Sequence, residues 1–102
     1  ALVNRGFARL QKGDRQAALT DLNEAIKLQP NSAEAFLARG TIQHEIGESE
    51  KAISDFSQAI RLKPNLSDAY YNRAQVNAQL GYLEAAEADL TKLATLTPDR
   101  AT

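Results

Sequence analysis

The sequence predicts an all-α fold, an alpha-alpha superhelix of three stacked antiparallel helix pairs, on three observations. A 34-residue period runs through the chain, with proline at 30, 64 and 98 and glycine at 13, 47 and 81. Arg5, Arg39 and Arg73 keep the same step, as do Ala18, Ala52 and Ala86, then Asp21, Asp55 and Asp89, then Leu28, Leu62 and Leu96. Between these marks the apolar residues recur every three or four positions, the helical period, and no stretch alternates as a strand does. A fixed period of this length marks stacked units that bury a face only against their neighbours.

Residues 1–12 read as a helix ended by Gly13-Asp14, since glycine takes the left-handed conformation that closes a helix. A second helix over residues 15–28 buries Ala18, Leu22, Ala25 and Ile26, and Pro30 stops it. Ser32 is placed to cap a third helix running to residue 46, with Phe36, Gly40, Gln43 and Ile46 on one stripe. Gly47 ends that helix. Residues 49–62 form the fourth, with Ala52, Phe56, Ala59 and Ile60 inward. Ser67 is placed to cap a fifth helix running to residue 80, with Tyr70, Ala74 and Leu80 inward. Gly81 makes the next turn, and residues 83–96 form the sixth helix. Glu48, Glu50, Asp14 and Glu84 sit where a carboxylate favours the positive end of a helix dipole.

Connections this short make each pair antiparallel neighbours. Gly6, Gly40 and Ala74 are expected to face Ala18, Ala52 and Ala86, so that nearly bare backbones touch. Arg5 and Asp21, Arg39 and Asp55, and Arg73 and Asp89 each lie eight residues either side of a turn glycine. Residues equidistant from a turn share one height, which predicts three partly buried ion pairs between helices.

Composition narrows the function. Of 102 residues, 12 are basic and 13 acidic, a net charge of −1 that draws in neither nucleic acid nor an anionic membrane. No apolar run reaches membrane-spanning length, and no signal peptide is visible. The absence of cysteine excludes disulfides and thiolate chemistry and favours a cytoplasmic setting. His44, the lone histidine, has no nucleophile constellation and no convergent carboxylates around it, so no catalytic residue, metal or cofactor is expected. The chain opens at Ala1-Leu2-Val3 inside a repeat, as a piece of a longer protein would.

With Gly40, Gly47, Ala52 and Pro64 as its skeleton, and Phe36, Phe56 and Ala59 at the large and small packing sites, the chain resembles the tetratricopeptide repeat family. The resemblance covers a single domain, residues 1–102, as repeats 1–32, 33–66 and 67–100. The Asn-Arg-Gly and Ala-x-x-Asp-Leu/Phe wording is similar to the family's bacterial branch. A pentatricopeptide array, which reads RNA, has a 35-residue period and a more basic character. Two departures stand out. Arg9 replaces a packing residue, and Leu93 replaces the small residue at Ala25 and Ala59. No polar capping helix follows, so Leu83, Leu90 and Leu93 are expected to be poorly covered.

The resemblance implies a non-enzymatic protein–protein interaction module, a scaffold or adaptor. The first helix of each repeat would line a concave groove holding a peptide. The stripe opposite the packing stripe supplies Val3, Asn4, Phe7, Leu10 and Gln11 from the first repeat. From the second it supplies Glu34, Leu37, Ala38, Thr41, His44 and Glu45, and from the third Asp68, Tyr71, Asn72, Gln75, Ala78 and Gln79. This set has no Lys or Arg, so a neutral or basic segment fits better than an acidic one. Val3, Phe7 and Asp68 stand where the family's chaperone-binding members place residues that grip a C-terminal carboxylate; only Asn72 keeps that polarity. Two other readings compete. In one, this face is merely solvated and the partner uses other surfaces. In the other, the chain is a structural module that self-associates through its terminal helices into a homo-oligomer.

Overall fold

A computed structural model describes residues 15–96, which fold into five helices: α1 (Arg15–Leu28), α2 (Ala33–Glu45), α3 (Ser49–Leu62), α4 (Ser67–Gln79) and α5 (Leu83–Leu96). The helix expected over residues 1–12, with Arg5, Gly6, Arg9 and Gly13, lies outside the described residues, as does Pro98.

The turns are closed as the glycines require. Gly47 and Gly81 have φ of +88° and +87°, which a side chain would strain. Around the first, Glu48 N donates to Gln43 O at 2.8 Å and Gly47 N to His44 O at 3.1 Å; around the second, Tyr82 N donates to Asn77 O at 2.8 Å and Gly81 N to Ala78 O at 3.1 Å. Both are Schellman motifs, which satisfy carbonyls a helix end leaves free. The proline connections close differently. Ser32 N donates to Gln29 O at 3.2 Å and Leu66 N to Lys63 O at 3.0 Å, each making one tight turn. Buried Tyr70 ties its hydroxyl to Pro64 O at 3.0 Å.

Ser32 caps α2 as expected, its Oγ accepting from Ala35 N at 3.2 Å. Ser67 does not cap α4. It is the first helical residue, and the cap position falls to Leu66, whose side chain cannot accept. Ser32→Ala is therefore expected to cost about 1 kcal/mol in urea unfolding, and Ser67→Ala far less.

The core runs between the helices as three linked clusters. Ala18 and Leu22 of α1 meet Ala35, Ala38 and Ile42 of α2. Ala52 and Phe56 of α3 meet Val76 of α4, and Ala33, Ala59 and Ala69 form the third cluster, with Leu37 of α2 packed against both of these. At Gly40 the nearest atoms to a Cβ would be those of the Phe56 ring. Leu80, expected inside α4, is exposed; Val76 and Asn77 are buried instead.

Arg39 and Asp55 form the expected ion pair, with Nε donating to Oδ2 at 2.7 Å and Nη2 to Oδ1 at 2.9 Å. Arg73 and Asp89 repeat it at 2.9 and 2.5 Å. Each arginine also reaches back to the preceding helix: Arg39 Nη1 donates to Asn23 Oδ1 and Arg73 Nη1 to Ser57 Oγ, both at 3.0 Å. Each lies over an aromatic ring of its own helix, Phe36 at 5.5 Å and Tyr70 at 5.8 Å from the centroid. A fixed amide completes the pattern. Asn77 Nδ2 donates to Asp89 Oδ2 at 3.3 Å, and Gln43, with its amide nitrogen turned inward, donates to Asp55 Oδ2 at 2.8 Å. One guanidinium thus ties three successive helices. The hydrogen bonds to Asp55 and Asp89 hold Arg39 and Arg73 above the ordinary guanidinium range. Asp21 is buried at the corresponding place, and its expected partner Arg5 lies outside the described residues.

The stack is curved. The backbones of α2 and α4 come close, whereas those of α3 and α5 stand apart. A cleft of about 300 Å³ opens between those two, over Ile53, Ser57, Arg73, Asn77, Ala85, Ala88 and Asp89. The layer whose helices touch follows the shorter arc, so α2 and α4 form the concave side.

Candidate concave binding face

The concave face is built on α2 and α4, whose opposite sides are spent on packing. Leu37 is half-buried against both neighbouring clusters and forms the floor. Thr41, one turn on, is half-buried with its hydroxyl donating to Leu37 O at 2.9 Å. His44 Nε2 lies 2.7 Å from Gln79 Oε1 and donates to it in the Nε2–H tautomer, joining α2 to α4 across the face. On α4, Tyr71 is 48% exposed and accepts at its hydroxyl from Gln75 Nε2 at 3.1 Å. Asp68, Ala78 and Gln79 are exposed and Asn72 half-buried. Val3, Asn4, Phe7, Leu10 and Gln11 lie outside the described residues.

One expected groove residue is not there. Ala38 is 1% exposed, turned onto Ala18 and Leu22 of α1. Its position borders the outward stripe, and α1 closes over it.

The charges differ from a count along the stripe. Lys63, from the connection before α4, donates to Glu34 Oε2 at 3.2 Å, and Arg15 Nε of α1 donates to Glu45 Oε1 at 2.9 Å. Both bases come from outside the first helices, so helical spacing could not reveal them. A backbone hydrogen bond, and after it the Lys63 hydrogen bond, hold the Glu34 carboxyl below its ordinary value. That stabilisation is in force above the ordinary carboxylate range and fades as pH falls through the lowered value. Glu34 is exposed, so solvent screening keeps the effect small. Asp68, in the first turn of α4, is left as the acidic point that projects from this face.

A face of half-buried leucine floor, one exposed aromatic ring and a row of side-chain amides can hold the backbone of an extended peptide. Among the described residues no group of three or more His, Asp or Glu is placed to hold a metal ion, and no helix is long and apolar enough to cross a membrane.

Helix pairs stacked at one period, with closed glycine turns and a concave inner layer, define a helical-repeat solenoid. A TPR repeat model matches residues 6–47 and 42–81, and a tetratricopeptide repeat model matches residues 67–100. The chain belongs to the tetratricopeptide repeat family. Among curated proteins none matches it in sequence. Solved structures do. The second TPR of Spaghetti (RPAP3), bound to the HSP90 peptide SRMEEVD, is 25% identical with a TM-score of 0.90, over 93% of this chain and 88% of that one. MamA is 28% identical with a TM-score of 0.91, over 95% of this chain and 57% of the MamA chain. The Yersinia enterocolitica type III secretion chaperone SycD, in complex with a peptide of the translocator YopD, is 22% identical with a TM-score of 0.90, over 93% and 72%. At that identity the likeness is one of fold.

Proposed function

We propose that the chain is a non-enzymatic scaffold or adaptor module that binds a peptide or protein segment along its concave face. The observation that carries this is the direct contact of α2 with α4, bridged by His44 and Gln79, which makes one continuous inner surface of exposed amides and Tyr71. The RPAP3 domain, of the same fold, holds a peptide. In this reading the domain is three repeats of bacterial-branch type, 1–32, 33–66 and 67–100, in a cytoplasmic setting. The groove runs from Val3, Asn4, Phe7, Leu10 and Gln11 through Glu34, Leu37, Thr41, His44 and Glu45 to Asp68, Tyr71, Asn72, Gln75 and Gln79.

The bound segment is neutral or carries a base opposite Asp68. The pairing of Glu34 and Glu45 with Lys63 and Arg15 supports one acidic point rather than an acidic field. The peptide held by RPAP3, SRMEEVD, has three acids and one base and would suit this face poorly. The test is selection of peptides from a random display library on the intact chain. Enrichment of Lys- or Arg-containing sequences, with affinity lost on Tyr71→Ala and weakened about tenfold on Asp68→Lys, supports the reading. Enrichment of acidic sequences, or indifference to both variants, contradicts it.

Self-association is the second reading, favoured by the exposure of Leu83 and Leu90 on α5, at 67% and 49%. A chain that stays monomeric at all concentrations in sedimentation removes it.

A further inference from the structure

The cleft between α3 and α5 lies on the far side of the stack from the inner layer, and a nearly buried amide opens into it. Arg73 and Asn77 of α4 form its floor, Ile53 and Ser57 of α3 one wall, and Ala85 and Ala88 of α5 the other. Asn77 is 5% exposed. Its Nδ2 donates to Asp89 Oδ2 at 3.3 Å, and among the described residues nothing donates to its Oδ1. No fully buried side-chain oxygen or nitrogen of those residues lacks a partner, so the small exposed part of Asn77 includes this oxygen, and the cleft is where it emerges. An amide oxygen held there calls for a donor.

The corresponding amide one repeat earlier spans its gap. Gln43, one methylene longer, donates to Asp55 Oδ2 and also to Lys51 O at 3.0 Å, tying α2 to the first turn of α3. Asn77 stops at Asp89, and α5 has Ala85 and Ala88 where α3 has Lys51 and Ser54. The side chains around the later cleft are thus too short to fill it.

The other polar groups there are donors. Of the five N–H of Arg73, two go to Asp89 and one to Ser57 Oγ, which leaves two. Ser57 Oγ accepts that bond and keeps its own hydrogen to give. The Arg73 charge is matched by Asp89 in the same cleft, so the site carries no net charge to draw an ion. The matching ligand is neutral, holds an acceptor and a donor side by side, and has an apolar body for the side walls. A carboxamide has that pair in one plane.

We propose that the cleft is a binding site for a small neutral carboxamide. Its carbonyl accepts from Ser57 Oγ and the Arg73 guanidinium, its N–H donates to Asn77 Oδ1, and its apolar body rests on Ile53, Ala85 and Ala88. At about 300 Å³ the space is at the small end of ligand pockets and suits a compound of this size.

The probe is cyclohexanecarboxamide, titrated into the ¹⁵N-labelled intact chain. Saturation at roughly millimolar concentration is expected for so small a ligand. Amide shifts should fall on Ser57, Asn77, Ala85 and Ala88, with Leu37, Thr41 and Tyr71 of the inner layer unmoved. Cyclohexanecarboxylate and cyclohexylmethylamine, charged compounds of similar shape, should bind about tenfold more weakly. Ser57→Ala should weaken the carboxamide about fivefold. Ala88→Leu, which fills the cleft from an exposed position, should abolish its binding. Urea unfolding checks that both variants stay folded. Carboxylate binding as tight as that of the carboxamide, undiminished binding to the Ala88→Leu chain, or no saturable shift at these residues overturns the proposal.

Discussion

Gly40→Leu is expected to cost about 3 kcal/mol in urea unfolding, at the upper end of ordinary overpacking. A Cβ at position 40 would lie 2.7 Å from Cε1, 2.9 Å from Cδ1 and 3.2 Å from Cζ of Phe56. That ring is fully buried and packed against Val76, so it cannot swing away without disturbing the α3–α4 contact. Gly40→Ala places the same Cβ and loses less, because it adds no atoms beyond Cβ, and its better helix propensity offsets about 1 kcal/mol of the crowding. The next repeat points to the compensation. At the corresponding places it has Ala74 and Leu90, one larger and one smaller than Gly40 and Phe56. Phe56→Leu alone should destabilise by trimming the core. In the Gly40→Ala background it should cost less, giving a favourable coupling in a double-mutant cycle. Additive losses would mean that the ring does not limit position 40.

Asp55→Ala is expected to cost about 3 kcal/mol, the lower end for breaking a buried ion pair. The carboxylate is the more buried partner, with its side chain 8% exposed, and it accepts two hydrogen bonds from Arg39. Removing it strands a guanidinium that is 22% exposed and left with Asn23 and the Phe36 ring. The remaining water access and those contacts keep the loss from the top of the range. Arg39 has a raised pKa, so its contribution is in full below the ordinary guanidinium value and is lost only as pH rises past the raised one. The cost of Asp55→Ala should accordingly be the same at pH 7 and pH 9. Glu48→Ala is the control. The Lys51–Glu48 pair is 3.0 Å apart but 69% and 44% exposed, and its loss should cost no more than about 0.5 kcal/mol. Equal losses from Glu48→Ala and Asp55→Ala would remove the special place given to the Arg–Asp network.

The sequence made the helix pairs legible because the residues that stack copies are the ones every copy must keep. Equal distance from Gly47 and Gly81 was enough to pair Arg39 with Asp55 and Arg73 with Asp89. The third partner of each arginine was hidden. Asn23 and Ser57 differ in type and lie in the preceding repeat, so neither identity nor hairpin symmetry marks them. Height alone also did not reveal that the Phe56 ring limits position 40, since the reach of a side chain is not read from its distance to a turn. Helical spacing set Tyr71, Thr41 and His44 apart from the packing stripe, and none of the three is buried. The charge of the concave side was not legible, because Arg15 and Lys63 come to Glu45 and Glu34 from elements with no place in the stripe. Ala38 shows the same limit: whether a border position faces outward depends on how closely the preceding helix, α1, packs.

The central claim is that a partner lies along the inner layer formed by α2 and α4. The most direct measurement is a titration of a library-selected peptide into the ¹⁵N-labelled chain, followed by amide chemical shifts. The largest changes are expected on Leu37, Thr41, His44, Asp68, Tyr71, Gln75 and Gln79, with α3 and the outer face of α5 nearly unmoved. Changes centred on α3 or on the outer face of α5, with the inner layer silent, would contradict it.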